Sequence, residues 1–370
     1  MTFSGDVLRN EERAIYSLRE LYRKYGYSQF KVSRFEEYDL YARNKSFLIS
    51  ENILTFTDTD GKLMALKPDV TLSIIKNINT NGKSTQKLYY NETVYRTSAV
   101  SHGFKEIMQT GLECVGYVDM LAESEVVMLA MRSLEQISSD HVLDVSHMGL
   151  IEGLLDSANI DSASRADILE LVKSKNTTGI KRLCEALGVG SNIADKLCLL
   201  TDIYLPLSEA LETIESCVVN EKMKLAYGEL KNISEIMAMY GLGEKMKFDF
   251  SIVNDFNYYD GLIFKGFINS IPDSILSGGR YDKLLMKMGK RMGAIGFAVY
   301  LDRLERFGDY ESEYDTDILL VYDEDADVKT VVETVRQFNA NGKSVKVSAE
   351  DDKSVRYRRL VKVTAGGVEL

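Results

Sequence analysis

Residues 149 to 243 carry an almost purely helical apolar period, in segments such as ADILELVKSK, IKRLCEALG, SNIADKLCLL, LSEALETIES and LKNISEIMAMYGLG. The flanking stretches instead repeat their apolar residues at every second position, as half-buried strands do. A sheet cannot run through such a helical block. The strands before it and after it must therefore meet around a helical insertion, whose Gly and Ser-Asn punctuation marks the helix ends.

Ahead of the insertion, residues 8–25 place Leu8, Ile15, Leu18, Leu21 and Tyr25 on one helical stripe, and Gly26 supplies the stop. FLISENILTFTDTDGKLMAL holds a TDTDG turn between two strand-like pieces, a hairpin signal. KLYYNETVYR (87–96) and IMQTGLECVGY (107–117) read as further strands, and 122–137 as a helix with acids in its first turn. After the insertion, KFDFSIV alternates Phe248, Phe250 and Ile252 with polar residues. LIFKGFI (262–268) continues the strands, SGGRYD (277–282) reads as a loop, KLLMKM (283–288) as a short helix, and GAIGFAVYLDRLERF as a small-residue run. Beyond 313 the pattern is β-α-β: DILLVYDE, a helix over 327–339 with Val328, Val331, Val332, Val335 and Phe338 on one face, then NGKSVKVSAE. RLVKVTAGGVEL leaves room for one more strand. The expected fold is α+β, with an antiparallel sheet and helices over 1–310, a helical insertion at about 149–243, and a small, truncated α/β module at 313–370.

At 370 residues, 45% hydrophobic and 27% charged, the chain has the composition of a soluble globular protein of two or three units. No apolar run approaches the roughly 20 residues that span a bilayer, and the start MTFSGDVLRNEERAIY lacks the features of a signal peptide. A cytoplasmic location with no membrane partner is expected. The formal charge of −11, from 56 acids against 45 bases, repels a polyanion on average, so nucleic acid is not an expected partner. The one dense basic patch, RYRR at 356–359, reads as a solvated turn. Cys114, Cys184, Cys198 and Cys217 form no Cys-x-x-Cys pair and read as structural free thiols. His102, His141 and His147 lack metal-type spacing, and no phosphate loop or Gly-x-Gly-x-x-Gly unit occurs, so neither a metal nor another cofactor is expected.

Three polar constellations sit where strands should run. In LKPDVTLSI (66–74), Pro68 breaks a strand and delivers Asp69 and Thr71. In IMQTGLECVG, Gln109, Gly111 and Glu113 share one face at period two, which leaves room for a small polar ligand. In NDFNYYDGLIF (254–264), Tyr258 and Tyr259 stand in a polar turn, to be taken with the GGRYD stretch. Each residue alone also reads as ordinary surface or packing. Together, Asp69, Thr71 and Glu113 can surround an ammonium group, and Gln109 can hold a carboxylate or a polar ring.

LKPDVT resembles the Leu-Arg-Pro-Glu-x-Thr motif of histidyl-tRNA synthetases. LYYNETVYR with MQTGLECVG resembles their class II motif 2, NYYDGLIF with SGGRYDKL their histidine signature, and GAIGFAVYLDRL their motif 3. The likeness covers most of residues 5–310 and implies a class II aminoacyl-tRNA synthetase-like core. Carried over, it places Asp69, Thr71 and Glu113 at the α-amino group of histidine, Gln109 at its carboxylate, and Tyr259 and Tyr281 at its imidazole, with Tyr258 left to the core. Arg96 and Arg303 match arginines that hold ATP phosphates. The departures fall on catalysis: Asn254 stands where an arginine helps activate the carboxylate, and the motif 2 Phe-Arg-x-Glu becomes Tyr95-Arg96-Thr97-Ser98. The loop through His102 is short, Ser33 replaces a motif 1 proline, and Asp302 replaces the motif 3 glutamate. This pattern resembles the synthetase paralogues that serve as regulatory subunits of ATP phosphoribosyltransferase. That resemblance implies a non-catalytic chain partnered by a short-form catalytic subunit, which joins ATP to phosphoribosyl pyrophosphate in the first step of histidine biosynthesis. It also implies feedback by L-histidine and a homodimer through the core. The alternatives are a truncated histidine-tRNA ligase and a scaffold with a vestigial histidine pocket.

Overall fold

The first helix, α1 (Asn10–Lys24), starts where the Arg9 amide donates to the Glu12 carboxylate at 2.9 Å. It ends before Gly26, whose φ of 81° suits a residue without a Cβ. Ala14, Leu18 and Tyr22 form its buried stripe. The computed structural model describes residues 8–48, 52–78, 84–97, 103–253, 258–304 and 314–369. The chain divides into two units, Met1–Phe307 and Gly308–Leu370.

In the first unit α1 is followed by β1 (Ser28–Gln29), β2 (Phe35–Glu37), α2 (Tyr38–Ala42), β3 (Thr55–Thr57) and β4 (Leu63–Leu66). The TDTDG turn closes the β3–β4 hairpin: the Asp58 side chain accepts from the Asp60 amide at 2.8 Å, and Gly61 takes a positive φ. Pro68 then stops β4, and α3 (Thr71–Asn77) follows in place of a continued strand. The long antiparallel pair β5 (Gln86–Thr97) and β6 (Phe104–Gly116) runs in register from Gln86↔Val115 to Thr97↔Phe104. Next comes α4 (Met120–Ile137), capped by Asp119 accepting from the Ala122 amide, and then β7 (His141–His147).

The helical block contains α5 (Met148–Ser157), α6 (Ser162–Lys173), α7 (Thr177–Ala186), α8 (Ser191–Asp202), α9 (Leu207–Cys217) and α10 (Glu221–Met239). It also holds a short strand that helical periodicity conceals, β8 (Tyr204–Pro206), which pairs with β9 (Met246–Asp249) at the sheet edge. After β9 the chain turns into a single 3-10 turn, Phe250–Ile252, so KFDFSIV is half the strand its alternation suggests. Phe250 and Ile252 are nevertheless buried. The unit closes with β10 (Leu262–Ile268), β11 (Leu276–Arg280), α11 (Asp282–Lys287) and β12 (Gly293–Tyr300).

The main sheet has nine strands in the order β1-β5-β6-β12-β11-β10-β7-β9-β8. It is antiparallel except for the β1–β5 and β7–β9 pairings, which are parallel. SGGRYD is therefore corrected from loop to strand: Leu276–Arg280 is an inner strand between β10 and β12. Its glycines hide this by composition, since strand propensity counts them against a strand. They are required by close approach. A Cβ on Gly278 would lie 2.5 Å from the Gly296 carbonyl oxygen and from the Phe297 Cβ.

One face of the sheet is covered by α1 and α4. Tyr22 packs its ring against Tyr89 at 6.2 Å and Phe297 at 6.0 Å, and Leu134 occupies the space a side chain on Gly266 would need. The other face is left shallow by Gly111, Gly296, Ala298, Ser277 and Gly279. This face carries the cavity described below.

The second unit has its own core. Ile318, Leu320, Val361 and Val363 are buried between β13 (Thr316–Tyr322), α12 (Val328–Ala340), β14 (Val345–Ser348) and β15 (Tyr357–Thr364), and β16 (Gly367–Glu369) pairs antiparallel with β15. The tail thus supplies two strands where one was expected, and RYRR runs into β15 instead of forming a turn. On α12 the stripe that packs on this core is the half-buried Val331, Val335 and Phe338 with the buried Thr334, while Val328 and Val332 are 73% and 49% exposed. The helix presents a narrower stripe than its valines would allow. All four cysteines are buried and unbridged, and no helix among the described residues is long and apolar enough to cross a membrane.

Gly278→Ala is expected to destabilise the protein by about 1–3 kcal/mol through overpacking in the sheet. The check is a urea titration, in which the midpoint falls at unchanged slope.

Candidate functional site

The turn from β4 into α3 builds one wall of a cavity of about 410 Å³, within the roughly 300–1,000 Å³ usual for small-molecule sites. Lys67 anchors the turn through its backbone, donating to the Arg34 carbonyl and accepting from the Tyr95 amide at 2.9 Å, while its fully buried ammonium is neutralised by Glu92 at 2.5 Å. Arg96 Nε donates to the Pro68 carbonyl at 2.8 Å, and its guanidinium lies 3.8 Å from the Asp69 carboxylate. Asp69 in turn accepts from the Leu72 amide at 2.8 Å, fixing the first turn of α3. Asp69, Thr71 and Arg96 are all buried.

The floor comes from β6, where period two brings Gln109 and Glu113 to the same face. Glu113 has a donor on each oxygen. Thr71 Oγ1 donates to one at 2.7 Å, and the Tyr281 hydroxyl donates to the other in a very short contact. The carboxyl fits because Gly296 stands across from it on β12, where any Cβ would overlap its oxygen. Among the described residues nothing hydrogen-bonds the Gln109 side chain, which faces the cavity from a buried position.

Tyr259 and Tyr281 close the site with Tyr258. The Tyr258 and Tyr259 rings meet edge to face at 4.6 Å, and Tyr258 lies 6.2 Å from Tyr281. The expected division of labour is corrected here. Tyr258 lines the cavity with Tyr259, and Tyr259 is the more buried of the two. Two adjacent residues can share a wall because they sit in the turn before β10, outside the strict alternation of a strand.

Arg303 also lines the cavity. Its guanidinium donates to the Ser274 carbonyl and lies over the Tyr300 ring at 4.6 Å. The structure therefore gathers all eight residues singled out from sequence, Asp69, Thr71, Arg96, Gln109, Glu113, Tyr259, Tyr281 and Arg303, around one cavity. Asn254, Ser98 and His102 lie outside the described residues. Sequence reasoning passed over Tyr90, Lys265 and Ser277. Tyr90 was findable as the neighbour of Gly111 across the β5–β6 pair, and Lys265 as the lone charge in LIFKGFI.

Burial dominates the electrostatics. It pushes Glu113 up to about 8 against the pull of its Tyr281 and Thr71 hydrogen bonds, with the Asp69 charge adding to the rise. Asp69 is also raised by burial, which outweighs Arg96 and the backbone amides of Leu72 and Thr71. The Tyr281 phenol is held far above its ordinary range by burial and by Glu113. Such a site favours a cation, which restores ionised carboxyls, together with a ring that accepts or donates to phenols. No cluster of three or more metal-type ligands occurs among the described residues.

Known proteins share this architecture. The family model described as histidyl-tRNA synthetase matches residues 6–304. The ATP phosphoribosyltransferase regulatory subunit of Clostridium kluyveri is 30% identical over 318 residues, 82% of this chain and 81% of that protein. A solved structure from Bacillus halodurans, described as an ATP phosphoribosyltransferase regulatory subunit/histidyl-tRNA synthetase, superposes with a TM-score of 0.77 at 24% identity, covering 96% of this chain and 94% of that one. A chain of the ATP phosphoribosyl transferase complex from Thermotoga maritima gives a TM-score of 0.62 at 19% identity, covering 79% and 97%. At these identities the two structural likenesses show the fold.

The raised Glu113 carboxyl sets a stability test. The unfolded chain releases this proton near the ordinary 4.5 and the folded chain holds it to about 8, so native stability falls as pH rises through that window. Glu113→Gln cannot ionise. Its Tm relative to wild type should therefore be more favourable at the alkaline end of the window than at the acid end, as followed by calorimetric scans. A difference independent of pH would mean that Glu113 ionises as an ordinary carboxylate.

Proposed function

The chain belongs to the histidyl-tRNA synthetase family and, within it, to the regulatory subunits of ATP phosphoribosyltransferase, and from that premise we propose that its cavity receives histidine as the feedback signal. The protein is a non-catalytic subunit that works with the catalytic chain of ATP phosphoribosyltransferase in histidine biosynthesis. The observation that carries the histidine reading is Glu113. A buried carboxyl, held between Thr71 and Tyr281 beside a Gln109 side chain with no hydrogen bond among the described residues, meets the needs of a small ligand that is both cationic and aromatic.

Histidine would place its ammonium toward Asp69 and Glu113 and its ring against Tyr259 and Tyr281. Two further features favour holding the ligand over activating it. Arg96 is spent on the Pro68 carbonyl and Asp69, clamping the turn. The residue at 254 is an asparagine, which brings no charge to a developing phosphate-rich transition state. Feedback then follows from linkage: if histidine prefers one arrangement of the complex, it shifts the catalytic chain by its differential affinity. A homodimer through the core and a cytoplasmic location belong to the same proposal.

Calorimetry of the purified chain, alone and with its catalytic partner, should show histidine binding that Glu113→Ala weakens by about tenfold or more, the range expected for losing hydrogen bonds to a charged group. Absence of binding in both settings would sink the sensor role and leave a scaffold. Histidine-dependent ATP–pyrophosphate exchange should be absent; its presence would restore the ligase reading.

A further inference from the structure

The cavity has a second polar end that the residues above do not account for. Along β10, Gly266 faces Leu134 of α4, so period two turns Lys265 to the opposite face, where it lines the cavity. Lys265 pairs in register with Ser277 of β11, Ser277 with Ala298 of β12, and Ala298 with Gly111 of β6. This row carries nothing larger than a serine between Lys265 and the β6 floor, where Gln109 and Glu113 flank Gly111. The Tyr259 ring beside Gly279 and the Tyr90 hydroxyl beside Gly111 border the space between the lysine and the acids.

Charge pairing isolates the lysine. Of the other cavity cations, Arg96 is bound to Pro68 and Asp69, and Arg303 to Ser274 and the Tyr300 ring. Among the described residues, no acceptor lies within hydrogen-bond distance of the Lys265 ammonium and no carboxylate within ion-pair distance. The charged groups nearest to it are committed elsewhere or weak. Asp249 is paired with Lys175 at 3.1 Å, Lys173 adds like charge, and Asp144, beside Lys265 in register, is pushed up to about 7 by burial and by Asp249. Burial also holds the lysine below its ordinary range, a cost that an incoming anion would remove.

We propose that Lys265 is the counter-ion for the carboxylate of the amino-acid ligand, so that the cavity selects a zwitterion with its ammonium at Asp69 and Glu113 and its carboxylate toward β10. This rests on the histidine reading above and deepens it. The resemblance assigns the carboxylate to Gln109, but an amide supplies a hydrogen bond without a charge, and a buried carboxylate without a counter-charge is costly. Lys265, which lines the same cavity, is the charge that can provide neutralisation.

The test compares L-histidine with L-histidinol, which carries a hydroxymethyl group in place of the carboxylate, by calorimetry on the full chain with and without its catalytic partner. Wild type should prefer histidine by about tenfold or more, the scale of a charge-assisted hydrogen bond. Lys265→Met should erase that preference by weakening histidine alone, and Lys265→Arg should keep part of it. Lys265→Gln gives the same readout if the methionine variant does not fold. A preference that survives loss of the lysine, or an equal loss for both ligands, overturns the assignment while histidine binding stands. Failure of wild type to bind either ligand overturns the histidine reading and this assignment together.

Discussion

The Glu113 carboxyl is the joint on which the site depends. It accepts from Thr71 at the start of α3 and from Tyr281 at the start of α11, so one side chain ties the β4–α3 turn, the middle of the sheet and the end of β11. Glu113 and Tyr281 are 168 positions apart in the chain. The joint exists because the sheet makes space for it. Gly296 lies opposite on β12, and a methyl there would occupy the carboxyl's position. Glycines that weaken a strand by propensity are thus what allow this sheet to carry a polar floor.

Removing two carboxyls from water is unfavourable unless something repays it, and the protein repays it only in part. Thr71, Tyr281, Arg96 and two backbone amides support Glu113 and Asp69, yet burial still raises both. The site is thereby poised for a cation. Arg96 shows how a shared scaffold can be used differently: a basic side chain at a motif associated with phosphate binding here braces the Pro68 carbonyl and Asp69. Its charge shapes the wall of the cavity. Lys265, on the same face, has no such pairing among the described residues.

Much of this was legible beforehand wherever period and punctuation agreed. The TDTDG turn closed a hairpin, Gly26 ended a helix, and alternation along IMQTGLECVG correctly put Gln109 and Glu113 on one face. Legibility failed where composition and geometry conflict. SGGRYD reads as a loop because two glycines argue against a strand, yet Leu276–Arg280 is a strand whose glycines stand where neighbouring strands come too close for a Cβ. Tyr204–Pro206 vanished into a helical block because three residues carry no measurable period. Tyr258 lines the cavity beside Tyr259 because the pair sits in a turn, where successive side chains need not point to opposite faces.

The amino-acid sequence alone determined the kinds of residue available and their local faces: a broken strand delivering Asp69 and Thr71, a strand face of Gln, Gly and Glu, a tyrosine pair before an apolar run, and the motif order that identifies the family. Local order fixes these because capping, turns and alternation act over a few residues. Only the tertiary structure decided which of them meet and in what state of charge. Whether Glu113 is paired or buried, whether Arg96 is free or bound, and whether Lys265 looks into the cavity or away depend on strand order and register. Those are set by contacts between segments far apart in the chain, and desolvation acts through that assembled environment.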